Sequence, residues 1–107
     1  MNVINCTPHE INLLTETANV AYPPSGIVTR VNATSVMMPS PLPMVRTIFG
    51  DITGLPEPMD HTYFIVSGMV LSALGGSRPD VIAPDTSPAS AVRDSQGRMI
   101  GVKRFTC

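Results

Sequence analysis

Tryptophan is absent from this 107-residue chain, lysine occurs once, and only 14% of the residues are charged. An average globular domain is roughly a quarter charged. With 43% hydrophobic residues, much of the surface must be neutral or apolar, and such a surface often becomes a subunit interface. A homo-oligomer is the expectation. The formal net charge of −1 excludes a general binder of long nucleic acid, which needs a basic face. Tyr22, Phe49, Tyr63, Phe64 and Phe105 are the only aromatics. They afford one stacking platform for a base but not an extended track. No apolar run is long enough to span a membrane, and no signal-peptide pattern follows Met1, so a soluble cytoplasmic protein is expected. Cys6 and Cys107 stand at opposite ends of the sequence. Two free thiols are the expectation in the cytosol, whereas a disulfide between them would need an oxidising compartment.

Familiar reaction motifs are also missing. There is no Gly-x-Ser-x-Gly elbow, no Walker loop and no dinucleotide fingerprint. Gly75-Gly76-Ser77-Arg78 is glycine-rich but follows a predicted helix instead of opening one. Cys6 and His9 form only half of a zinc-ligand pattern, with Pro8 between them and His61 and Cys107 far off. No metal or cofactor is therefore expected. Asp51, Glu57, Asp60, Asp80, Asp85 and Asp94 fall mostly in turns, where carboxylates bond local backbone, and no acid–base pair stands out among them.

What is present is a set of short strand-like runs with turn formers between them. Val3–Asn5, Glu10–Thr15, Val20–Tyr22, Ile27–Ala33, Met44–Phe49, Val81–Ala83, Ala91–Asp94 and Arg98–Phe105 read as extended. Thr62–Val66 is β-branched and aromatic throughout and suits a buried strand. Ser67 can cap the helix that follows, Gly75-Gly76 can end it, and Pro79 blocks its continuation. That helix, about 67–75, is apolar on nearly every side, which predicts burial against a sheet. Prolines at 39, 41 and 43 predict a loop over Ser35–Pro43, and Gly50-Asp51 reads as a tight turn. The fold class is α+β, mostly β: one domain over 1–107, a small barrel or sandwich with one short buried helix.

Arginine outnumbers lysine six to one, and its planar fork suits phosphate and carboxylate. Arg30, Arg46 and Arg78 are the candidate anion contacts. His9 can donate to a phosphate or a base, or can bond a carbonyl and shape the bend beside Pro8. Thr7 and Ser67 are further hydroxyl candidates, with helix capping as the structural reading of Ser67. Asp85 and Thr86 lie in a Pro-Asp-Thr-Ser-Pro loop, rich in hydroxyls and turn formers, that can contact an anion or a ribose.

One combination of motifs points further: Asn5…Thr7-Pro8-His9, Pro24-Ser25-Gly26…Arg30-Val31, Phe49-Gly50-Asp51-Ile52-Thr53-Gly54-Leu55-Pro56, Tyr63–Ser67, Arg78-Pro79-Asp80-Val81…Pro84 and Arg93-Asp94…Gly97. Together these resemble a family of small phage and bacterial proteins over nearly the whole chain. Small phage proteins of this size include sponges that sequester cyclic nucleotide signals of bacterial defence. By that analogy the chain would be a non-enzymatic, oligomeric binder of a small anionic nucleotide. A small hydrolase of such a ligand, with His9 and a loop aspartate as acid and base, is one alternative. A virion or assembly protein is another, with Ser35–Met44 contacting a second chain.

Overall fold

Short β-branched runs broken by Pro, Gly, Asn and Asp favour many brief strands over long elements. The computed structural model describes residues 1–107 as 43% strand and 7% helix, with one short helix and three open sheets. In chain order the elements are β1 (Asn2–Asn5), β2 (Ile11–Leu14), β3 (Asn19–Tyr22), β4 (Arg30–Met37), β5 (Val45–Thr53), β6 (Thr62–Ile65), α1 (Gly68–Leu74), β7 (Val81–Pro84), β8 (Ala91–Arg93), β9 (Met99–Val102) and β10 (Phe105–Thr106). The first sheet runs β1-β6-β7-β10. Its β1, β6 and β7 are parallel, and β10 is antiparallel to β7. The second sheet runs β3-β2-β9-β8, and β4 pairs only with β5 in a two-stranded ribbon. No helix is long and apolar enough to cross a membrane.

The main core is small. Cys6, Phe64, Val66, Val70 and Val81 are buried together, with Ile4, Val31, Ile52, Leu55, Leu71 and Leu74 packed around them. It therefore lies between the first sheet, one side of α1 and the base of the ribbon. Tyr22 and Phe105 meet edge to face, with ring centroids 6.0 Å apart, and so join the second sheet to the first. Ser90, fully buried, is a second link. Its carbonyl accepts the backbone N–H of Lys103, and its Oγ accepts those of Lys103 and Arg104. These bonds draw the chain out of β9 and into β10, so Arg98–Phe105 is two strands in two sheets and not the single strand its alternation predicts.

Other boundaries also differ from the sequence expectations. α1 has the predicted ends: Ser67 Oγ accepts the N–H of Val70, and Gly75 closes the helix in the left-handed region at φ 60°. It is not buried all round, however. Only Val70 is buried, and Met69 is 53% exposed, because a two-turn helix resting on a sheet has one face to cover. β4 begins at Arg30 and runs to Met37, into the stretch expected to be loop. The prolines instead occupy the hairpin tip, which the Met38 N–H closes by donating to the Met44 carbonyl at 3.0 Å. Gly50-Asp51 is not a turn either. β5 passes through both and carries one extra residue there, Val31 pairing with Ile52 but Ala33 with Phe49. The turn comes at Gly54, at φ 78°, where a Cβ would sit 2.5 Å from the Val28 carbonyl oxygen. Thr29 Oγ1 donates to the Gly54 carbonyl at 3.1 Å and fixes the ribbon to the body.

Candidate functional site

β1, β6 and β7 are parallel neighbours, so their carboxyl ends emerge along one edge of the first sheet. In open sheets of parallel strands, ligands bind in the crevice outside those ends. Here a cleft of about 490 Å³ lies there. One wall is formed by the segments leaving the three strands: Thr7–Glu10, Val66–Gly68 and Pro84 with Thr86. The other is the second sheet, through Ile11, Asn12 and Met99–Val102. Gly101 is required in that wall. A Cβ there would lie 2.7 Å from Leu14 Cδ1 and 2.8 Å from the Asn12 carbonyl oxygen.

The Thr7-Pro8-His9 rim is held by Asn5, which is buried. Its Nδ2 donates to the carbonyls of His9 at 2.7 Å and Tyr22 at 2.8 Å. Its Oδ1 accepts the Thr7 N–H at 2.9 Å and faces Thr7 Oγ1 at 2.7 Å. Both carbonyls need a donor and the Thr7 N–H needs an acceptor, so only one orientation of the amide satisfies all its neighbours. Ser25 Oγ donates to the Asn5 carbonyl at 2.6 Å and ties in the Pro-Pro-Ser-Gly turn.

Of the eight candidate residues, four line the cleft: Thr7, His9, Ser67 and Thr86. Their availability differs. Thr7 Oγ1 has one proton and lies between Asn5 Oδ1 and the His9 carbonyl, so it is occupied in shaping the bend. Ser67 Oγ accepts the Val70 N–H at 3.3 Å and keeps its own proton to give. The His9 ring and the Thr86 hydroxyl face solvent without a protein partner. Asp85, next to Thr86, is engaged elsewhere. Its Oδ2 accepts from Arg104 Nε at 2.6 Å and its Oδ1 from the Ser87 N–H at 3.0 Å. The Arg104 bond, then the Ser87 bonds, hold its carboxyl down at about 2.

The arginines do not converge. Arg78 Nε and Nη2 grip Asp80 at 2.9 and 2.8 Å, and Nη2 also donates to the Pro56 carbonyl at 3.0 Å. Its guanidinium lies 6.0 Å from the ring centroid of Phe64, a fully buried core residue. The fork is thus a structural clasp with its donors turned inward, and the same bond holds Asp80 below and Arg78 above their ordinary ranges. Arg30 pairs with Thr53 at the ribbon base, and Arg46 sits opposite Val36 near its far end. Six residues along β4 separate those rows, roughly 20 Å at strand rise. One compact ligand on one protomer cannot meet both. No arginine, lysine or aromatic residue lines the cleft, and Glu10 does.

Three residues that sequence reasoning left out of the site shape it: Asn5, Asn12 and Gly101. Asn5 carried a signal, because an Asn two residues before Thr-Pro can bond the backbone of the bend. Cys6 is buried and Cys107 exposed, both free. Burial pushes the Cys6 thiol up. No three His, Cys, Asp or Glu side chains cluster as metal ligands. No protein-family model, curated protein or solved structure matches this chain.

Proposed function

We propose that the protein binds and sequesters a small nucleotide-type ligand in the cleft at the carboxyl ends of β1, β6 and β7, and releases it unchanged. The observation that carries this reading is the cleft itself. It brings together hydroxyl, imidazole and apolar groups from three strand ends and a second sheet, at about 490 Å³. That size lies within the roughly 300–1,000 Å³ of small-molecule sites. The Ser67 and Thr86 hydroxyls and the His9 ring suit the sugar and the heterocycle edge, while Val66, Ile11 and Val102 give the heterocycle an apolar wall. Phosphates extend out of the cleft into water, on the side away from the exposed Glu10 carboxylate beside the rim. A cyclic oligonucleotide or cyclic ADP-ribose-type defence signal, met in the cytoplasm of a bacterial host, is the ligand that the analogy with phage sponges suggests.

A hydrolase of the same ligand is the weaker reading. A general base works best with a pKa near the working pH. Asp85, the loop aspartate next to the cleft residue Thr86, is held at about 2, chiefly by Arg104. The deciding experiment incubates the pure protein with cyclic di- and trinucleotides and cyclic ADP-ribose isomers, removes free ligand, denatures the protein and identifies what is released. Intact nucleotide is the expected result. Cleaved nucleotide, or none retained from any member of the panel, contradicts the proposal.

A further inference from the structure

The β4–β5 ribbon stands away from the body. The Cα radius of gyration is 15.8 Å and the molecule measures 51 × 38 × 21 Å, whereas a compact chain of this length has a radius of about 13 Å. Side chains alternate across a strand and paired residues share a face, so the register sorts the ribbon into two sides. One side carries Val31 opposite Ile52, Ala33 opposite Phe49, Ser35 opposite Thr47 and Met37 opposite Val45. Every one of these is uncharged. The Val31–Ile52 row packs on the protein's own core. Further out the same face is bare, with Met37 69% and Val45 59% exposed. The opposite side holds Arg30, Asn32, Thr34 and Arg46 together with the exposed Val36 and Ile48, so what distinguishes the two sides is charge. Core packing thus begins at the ribbon base and continues outward along a surface that the protomer does not cover.

We propose that a second copy of this chain covers it, the uncharged ribbon face of one protomer packing on that of the other about a two-fold axis. Several facts favour a copy over a different protein. The face has no charge, so it needs no complementary charge, and an uncharged patch is compatible with itself in an isologous contact. The net charge of −1 adds little repulsion between copies. Only 13 of 107 residues are buried within one protomer, few for a chain that must offset its ordering entropy. The extent also fits. The eight residues of β4 run roughly 27 Å, and exposed apolar side chains from Met37, Leu42, Val45 and Phe49 extend along that face to the tip. Such a ribbon and tip are on the scale of the roughly 800 Å² that each partner gives to a stable dimer. Both ribbon edges are unpaired as well, and an isolated two-stranded hairpin is marginal in water.

The test is independent of what fills the cleft. The mass of the full chain is measured by sedimentation equilibrium at high micromolar concentration, beside Met37→Glu/Val45→Glu and, as a control on the opposite ribbon face, Ile48→Glu. Met37 and Val45 are exposed, so the double variant should keep its far-UV spectrum. The expected result is a dimeric wild type and Ile48→Glu, with the mass halved in Met37→Glu/Val45→Glu. A monomeric wild type overturns the proposal. So does a double variant that stays dimeric, or dissociation by Ile48→Glu to the same degree.

Discussion

Asn5 shows how much one buried amide can organise. It satisfies one N–H and two carbonyls while holding Thr7 and His9 at the cleft rim. Removing it strands the buried Thr7 N–H, at about 1–3 kcal/mol, and takes the donor from two part-buried carbonyls. Asn5→Ala is expected to lower unfolding stability by roughly 3 kcal/mol on that scale, measured by urea denaturation, and Asn5→Asp, which loses both donors, should not restore it. Asp85 gives a pH signature. Its folded-state value of about 2 lies below the ~3.9 of an unfolded aspartate. Its contribution is therefore complete above about pH 4 and fades as pH falls through about 2. Thermal melts across pH 5 to pH 2 should show wild type losing stability more steeply than Asp85→Asn in the lower part of that range. Equal slopes would show that the Arg104 bond adds nothing. Arg78 illustrates what residue type alone conceals. A guanidinium suited to phosphate is committed to Asp80 and the Pro56 carbonyl. The signal available in sequence was an aspartate two positions on, across Pro79.

At the scale of elements, local chemistry was legible and non-local chemistry was not. The ends of α1 follow from Ser67 and Gly75 because caps act on the nearest turn. β6 follows from its β-branched and aromatic composition. The full extent of the ribbon does not follow, because the outer parts of both strands carry Met, Ser and Thr beside prolines. Pairing between β4 and β5 overrides those weak local preferences. Its attachment point is Gly54, where positive φ and the approach of the Val28 carbonyl both exclude a side chain. Gly54→Ala is expected to destabilise the fold by at least about 1 kcal/mol. Hydrogen exchange should accelerate first across Arg30–Thr53, while the β1–β6–β7 strands keep their protection. Uniform acceleration in both regions would show that the ribbon is not a separate unit.

For the whole molecule, the short strand-like runs between turn formers predict a mostly-β chain, and the structure is mostly β. The position of the cleft was not readable, because it depends on three strands becoming parallel neighbours although 56 residues of chain separate Asn5 from Thr62. Thr7, His9, Ser67 and Thr86, candidates on their chemistry, meet at one edge. The arginines, candidates on the same ground, are scattered, since nothing in spacing reports where a guanidinium points. The central claim is that the ligand sits between the strand ends and the second sheet. Backbone amide chemical-shift mapping with whichever nucleotide the protein retains tests this most directly. The account predicts that shifts concentrate in Thr7–Asn12, Val66–Gly68, Asp85–Thr86 and Met99–Val102, with Arg46 and its neighbours unmoved. Shifts confined to the ribbon, with the strand ends silent, would contradict it.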